Sequence, residues 1–391
     1  MFSKNIFYKS FNSKKISKFK KKNFINLIKE KSEIFNSMKK SYKNQYNIQS
    51  IKKNISRRET RIFGIGGSIL GSQAINSFLE NKIKKKIIFI DNLNKKTSFQ
   101  SKKFFNIIIS KSGNTLETIA SSAAYINKND KNLILTENKK NYLRDLAQEL
   151  KAEIVNHNNF IGGRYSVLSE VGMLPAEIMG LDPQKFRRFN HIVKNNHFIN
   201  SLIDSVNSIL FFVKKKKYNS IIINYDEKSE NLFKWYQQLV SESLGKKNKG
   251  ILPTISNMPK DNHSVMQLYL DGFKNNFFTF FSSMEKTNIK PKRQILMNRF
   301  NYLKSFDLNQ IKSIQKKATE NIFIKRNIPF RSFDIAVRNE ETLGELFSFF
   351  IFETIILGRA LKVNPFDQPS VELIKKETSK IFTMTKTKIK F

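Results

Sequence analysis

Between about residues 60 and 156, short β-branched and aromatic runs alternate with segments whose apolar residues recur at helical spacing. RIFGIG, KIIFIDN, FFNIIIS, NLILTE and AEIVNH read as strands, and Leu70–Leu79, Thr115–Tyr125 and Asn141–Leu150 read as helices. That alternation predicts a parallel, doubly wound sheet. A helical stretch from about 166 to 215 follows, and then a second α/β unit. In that unit SIIINYD, GILPTIS, NNFFTFFSS and IPFRSFDIAV read as strands. HSVMQLYL and ENLFKWYQQLVSESLG read as helices, the latter with Leu232, Phe233, Tyr236, Leu239 and Val240 on one face. LFSFFIFETIILG, from Leu346, contains Glu353 and is flanked by Glu345 and Arg359, which makes it a buried helix rather than a membrane span. From Asn364 the turn NPFDQP leads into a helix, VELIKKETSKIF. The fold class is α/β, divided into a basic helical extension over 1–45, α/β domains over 46–185 and 186–362, and a helical tail over 363–391.

Two of the strands end in turns suited to an anion. GIGGS spans Gly64–Ser68 and SKSGNT spans Ser110–Thr115, each between a strand and a helix. At such a junction unpaired N–H groups and the helix dipole attract negative charge, glycine permits close approach, and hydroxyls add donors. The two turns are therefore candidate phosphate-binding segments, although a glycine-rich turn by itself is equally well a tight turn. A nucleotide is not indicated. A dinucleotide fingerprint starting at Gly64 fails at Ile69, a Walker loop starting at Gly66 fails at Ser72, and Asp91 reads as a strand end.

Composition narrows the classes further. The 391 residues can bury a large core, and the absence of cysteine excludes a disulfide framework and fits a reducing compartment. The four histidines show no metal-ligand spacing, so no metal and no cofactor are expected. A net charge of +38 raises the question of nucleic acid. The lysines are spread along the chain, however, and the joint abundance of Lys, Asn, Ile and Phe is what an AT-rich coding sequence produces; no specific nucleic-acid partner is expected. No apolar run is long enough for a membrane span. The N-terminus alternates lysines with aromatics and has no signal-peptide block, so it reads as a basic extension rather than a targeting segment.

The remaining candidates are acid–base groups. Glu242 ends a helix that Gly245 stops, with Gln238 one turn earlier on the same face; the alternative for Glu242 is a solvated surface carboxylate. His263 opens a helix, where it could exchange protons near neutral pH or simply sit in the capping region. Arg164 follows two glycines, a setting for stabilising developing negative charge on oxygen, or an ordinary surface arginine. Gln368 and Lys375 flank the start of the tail helix. A phosphate cradle, a carboxylate, a histidine, an arginine and a lysine together suit proton transfer on a phosphorylated sugar.

In GIGGSILG, SKSGNTLET, GGRYSVLSEVGMLPAEIMGLD, QQLVSESLGK, DNHSVMQL, TLGELF and NPFDQPSVELIKK the chain resembles the phosphoglucose isomerase family over most of its length. The resemblance implies two doubly wound sugar-isomerase (SIS) domains with a C-terminal helical tail, a cytoplasmic homodimer, and reversible aldose–ketose isomerisation of glucose 6-phosphate and fructose 6-phosphate. It implies that Glu242 shuttles a proton between C1 and C2 through a cis-enediol and that Arg164 stabilises the intermediate. His263, from the neighbouring subunit, and Lys375 would assist ring opening. Ser68, Ser110, Ser112 and Thr115 would bind phosphate with backbone help from Gly67 and Lys111, and Gln238 and Gln368 would position the sugar. Asn114 and Ser370 depart from the family pattern, which often has a hydroxyl residue at the first position and a glycine at the second. A noncatalytic sugar-phosphate-binding regulator of the same fold is the competing reading; it could dispense with Glu242, Arg164, His263 and Lys375, all of which are present.

Overall fold

A computed structural model of the chain describes residues 3–13, 16, 18–55, 58–93, 103–127 and 129–389. Among them ten strands form two five-stranded sheets. The strands are β1 (Ile6–Lys9), β2 (Glu59–Phe63), β3 (Ile87–Ile90), β4 (Phe104–Ile109), β5 (Lys131–Glu137), β6 (Glu153–His157), β7 (Asn219–Asn224), β8 (Leu252–Asn257), β9 (Asn276–Ser283) and β10 (Phe330–Ile335).

The first sheet has the order β3-β2-β4-β5-β6 and is parallel throughout. Its central strand β4, FFNIII, is buried at every position, as expected of a strand covered on both faces. The one polar residue in that run, Asn106, accepts from Arg61 Nε at 2.8 Å, and Arg61 in turn pairs with Asp130 at 2.8 Å. The second sheet has the order β1-β10-β9-β7-β8, parallel except at β1. The doubly wound pattern read from the sequence is therefore present twice.

The N-terminal segment, expected to be helical, differs in one respect. Before its helices Lys21–Ile28 and Glu33–Ser37 it contributes β1, antiparallel to β10. The strand covers a sheet edge that would otherwise expose unpaired N–H and C=O groups, and Tyr8 packs on Phe333 with ring centroids 4.8 Å apart. A further helix, Leu308–Lys325, is fixed by a capping box in which Asp307 accepts from the Gln310 N–H and the Gln310 side chain accepts from the Asp307 N–H.

Between the sheets run the helices that carry the centre of the molecule. Helix Glu340–Ala360 is buried from Thr342 to Gly358, as its apolar run demanded. Its charge, Glu353, is fully buried, accepts from Ser205 at 2.5 Å and pairs with Arg331 of β10. Helix Glu230–Leu244 packs against helix Leu70–Phe78 from the first unit and against Glu340–Ala360. The turn after β2 thereby meets the helix that bears Glu242. Among the described residues no helix is long and apolar enough to cross a membrane.

Candidate active site

Both glycine-containing turns lie between a strand and a helix, as the sequence pattern indicated. After β2, Gly66–Ser68 make a short 3-10 turn that leads into helix Leu70–Phe78; after β4, Ser110–Thr115 lead into helix Leu116–Tyr125. Buried Ser110 and half-buried Thr115 share a hydrogen bond at 2.8 Å, and the Ser112 hydroxyl accepts from the Asn114 N–H at 3.3 Å. The Asn114 side-chain oxygen, Oδ1, accepts from the Tyr142 N–H at 3.0 Å, so this departure from the family pattern ties the turn to helix Tyr142–Glu149. The Lys111 ammonium donates to the carbonyls of Asn159 (2.8 Å) and Ile161 (3.1 Å). Its side chain thus braces the turn against the loop leading to Arg164, and burial holds the ammonium below the usual lysine range.

Two glycines pack the GIGGS turn against Gln238 and against the backbone of Gly163 and Arg164. Gly66, at φ +56°, lies under Gln238: a Cβ there would come within 2.7 Å of the Gln238 Nε2. A Cβ on Gly67 would come within 2.5 Å of the Gly163 carbonyl oxygen and 2.6 Å of the Arg164 nitrogen. The GIGGS turn therefore touches both the helix of Glu242 and the backbone of Arg164.

Arg164 is the hub. Its side chain is almost entirely buried and each of its five N–H bonds is engaged. Nε donates to Ser243 Oγ at 2.8 Å; Nη1 donates to Glu242 Oε2 at 3.2 Å and to Gln368 Oε1; Nη2 donates to the carbonyls of Pro365 (2.7 Å) and Asp367 (3.0 Å). Glu242 is a quarter exposed, the degree of access a proton-transfer group needs. Its other oxygen accepts from Gln238 Nε2 at 2.8 Å, while the Gln238 side-chain oxygen, Oε1, is buried without a partner among the described residues. The tail turn is held from the other side, where Lys246 pairs with Asp367 at 2.8 Å and keeps that carboxyl below its ordinary range.

Glu242, Arg164, Gln238 and Gln368 therefore come together beside Gly66 and Gly67. His263 and Lys375 do not join them within one chain. His263 is exposed at the end of the 3-10 turn Lys260–His263, and its side chain makes no hydrogen bond or ion pair among the described residues. Lys375 lies on the exposed helix Pro369–Ile389 and pairs with Glu372 at 2.6 Å. Ser370, the second departure, stands in the first turn of that helix.

Sequence reading missed Ser243 and Tyr165. The Tyr165 hydroxyl shares a 2.8 Å hydrogen bond with Ser243 Oγ and donates to the Pro365 carbonyl at 3.0 Å, so both residues fix the Arg164 fork. Burial pushes the Tyr165 hydroxyl above the usual tyrosine range, which keeps it a donor. The only signal was adjacency, since each neighbours a residue singled out for chemistry. Among the described residues no three His, Asp or Glu side chains converge as a metal-binding group.

Two doubly wound sheets with paired turns at their strand ends are the fold of the sugar-phosphate isomerase class. The chain belongs to the phosphoglucose isomerase family, whose model matches residues 23–390. It is 32% identical over 349 residues to the glucose-6-phosphate isomerase of Mycoplasmopsis pulmonis, covering 82% of each chain. The match to the glucose-6-phosphate isomerase of Methanocaldococcus jannaschii is 30% over 334 residues, covering 81% of this chain and 82% of the other. Among solved structures the fold is shared with a hypothetical protein from Thermus thermophilus (TM-score 0.77, 22% identity, 93% of both chains). It is shared as well with a glucose-6-phosphate isomerase from Chlamydia trachomatis (TM-score 0.69, 17% identity, 90% of this chain and 74% of that one).

Proposed function

We propose that the chain interconverts glucose 6-phosphate and fructose 6-phosphate by proton transfer through a cis-enediol. The observation that carries the reading is Glu242, a partly exposed carboxylate 3.2 Å from the buried Arg164 and held by Gln238, which packs on the GIGGS turn. With the phosphate on Ser68, Ser110, Ser112 and Thr115 and the backbone of Gly67 and Lys111, the open-chain sugar extends toward Glu242. Glu242 takes the proton from C2; the electron pair moves to C1=C2 and the carbonyl oxygen becomes an enediolate. The proton of the C2 hydroxyl passes to the C1 oxygen, which moves the negative charge to O2; Glu242 then returns its proton to C1 as the C1=C2 electron pair takes it up and the C2–O⁻ becomes the carbonyl.

The engagement of every Arg164 N–H bond shapes this step. To reach the enediolate oxygen, Arg164 must release an acceptor, and Glu242 is the one whose hold weakens during the reaction. Once Glu242 is protonated it accepts less strongly, and the freed Nη1–H turns to the new negative charge. Gln238 and Gln368 position the sugar hydroxyls. Lys375 and His263, the latter from the neighbouring subunit of a homodimer, assist ring opening. This dimer arrangement accounts for His263 lying exposed and apart from Glu242 in the single chain. The working compartment is the cytoplasm. A coupled assay that reads fructose 6-phosphate formed from glucose 6-phosphate tests the reading: turnover by the folded chain supports it, and its absence overturns it.

A further inference from the structure

The turn that delivers Gln368 to the site is gripped by two cations. Arg164 is one, through the carbonyls of Pro365 and Asp367. Lys246 is the other, and the proton-transfer steps above do not use it. It stands just beyond the end of helix Glu230–Leu244, where a tight turn fixes its backbone. Lys246 and Lys249 exchange N–H···O bonds of 3.0 Å each, and the residues between them, Lys247 and Asn248, take φ +54° and +57°. Positive φ at both central residues marks the type I′ hairpin turn.

From that fixed point the side chain crosses to the tail. An ammonium offers three N–H bonds. Those of Lys246 find three acceptors: the Ser243 carbonyl at 3.2 Å, the Asn364 carbonyl, and Asp367 Oδ1 at 2.8 Å. The first belongs to the end of the Glu242 helix and the other two to the tail turn, so one side chain, 11% exposed, brackets both segments. The turn is also tied within itself, since Asn364 Nδ2 donates to Asp367 Oδ2 and Asn364 Oδ1 accepts from the Phe366 N–H, each at 3.0 Å. Asp367 brings a half-exposed negative charge to this place. Lys246 holds its carboxyl below the usual carboxylate range, with a smaller contribution from the Arg164 charge. Without Lys246, that carboxylate would stand uncompensated near the guanidinium that must meet the enediolate oxygen.

We propose that Lys246 is a positioning residue for the isomerisation. It brackets the tail turn to the helix of Glu242 and cancels the Asp367 charge, so that Gln368 stays on the Arg164 fork and Arg164 keeps its positive charge for the reacting oxygens. Its effect on kcat rests on the isomerase reading, whereas the bracket does not. Lys246 makes no hydrogen bond to either phosphate turn among the described residues, so its effect falls on kcat rather than on the hold of the phosphate.

Amide hydrogen exchange and steady-state kinetics on the full-length protein test it. Lys246→Met should speed exchange at the amides of 366–368 by about tenfold or more and leave those of Ser110–Thr115 within about twofold of the parent; this readout needs no turnover. In the coupled assay Lys246→Met should lower kcat about 100-fold, the scale for displacing reacting groups by about 1 Å. Glucitol 6-phosphate, an open-chain hexitol phosphate with no carbonyl to isomerise, should bind the variant as it binds the parent. Lys246→Arg, which keeps the charge, should recover most of the lost kcat. Lys246→Met/Asp367→Asn should be about tenfold or more faster than Lys246→Met, because the uncompensated charge is gone. Unchanged exchange in Lys246→Met overturns the bracket, whatever the chain catalyses. A double variant no faster than Lys246→Met, or equal losses in kcat and in glucitol 6-phosphate binding, reduces Lys246 to a support for the helix end and overturns the proposal.

Discussion

Replacing Gly67 by alanine asks whether the phosphate turn and Arg164 act as one unit. The new Cβ would meet the Gly163 carbonyl oxygen at 2.5 Å and the Arg164 nitrogen at 2.6 Å, whereas ordinary contact begins at 3.4 Å. Both are backbone atoms, so no side chain can rotate out of the way and the two segments must part by about 1 Å. Overpacking of this kind costs about 1–3 kcal/mol of stability. The larger effect falls on chemistry, because displacement of reacting groups by about 1 Å costs about 100-fold in rate. We expect Gly67→Ala to fold, with a lowered Tm, and to lose about 100-fold in kcat/KM in the coupled assay. A variant with the lowered Tm but near-normal kcat/KM would show that the turn and Arg164 are not geometrically coupled, and the argument from their contact would fail.

Three further outcomes follow from the same geometry. Ser243→Ala removes the acceptor of Arg164 Nε and should lower kcat about tenfold with KM little changed; an unchanged kcat would remove Ser243 from the positioning of Arg164. Glu353→Gln leaves the Arg331 charge buried and uncompensated and should cost about 3–5 kcal/mol in urea unfolding; a loss under about 1 kcal/mol would contradict this. His157 is buried beside Asn158, and its pKa is pushed down to about 4 by burial and, secondarily, by the Lys111 charge. The unfolded chain therefore takes up a proton between about pH 6.5 and pH 4 that the folded chain refuses, and stability is lost as pH falls through that window, by about 3 kcal/mol at most. His157→Asn should flatten that part of the stability–pH curve, and an unaltered slope would assign the loss to other groups.

What the sequence disclosed depended on whether a feature was written locally. β4 and β7 were legible because FFNIII and NSIIIN are continuous apolar or β-branched runs, and the end of the Glu242 helix was legible because Gly245 stops it. β1 was not, because four residues amid lysines become a strand only through pairing with β10, far along the chain. Helix Leu308–Lys325 carried a readable signal in Asp307 and Gln310, masked by a face of mixed polarity. Within the site, side chains with a characteristic chemistry stood out, whereas the carbonyls of Pro365 and Asp367 that grip Arg164 leave no trace in residue identity. Lys111 showed the opposite limit. Its place in the turn was evident, but the reach of its ammonium across to the Asn159 and Ile161 carbonyls depends on the tertiary fold.

The central claim is that Glu242 moves a proton between C1 and C2 of a sugar phosphate. Incubation with glucose 6-phosphate in D2O, followed by NMR, tests it most directly. Fructose 6-phosphate should form, and recovered glucose 6-phosphate should carry solvent deuterium at C2, apart from the fraction transferred directly. Glu242→Gln should still bind a phosphate ligand but lose both signals by about 1,000-fold or more. Near-normal turnover and exchange by Glu242→Gln, or neither signal from the folded parent chain, would contradict it.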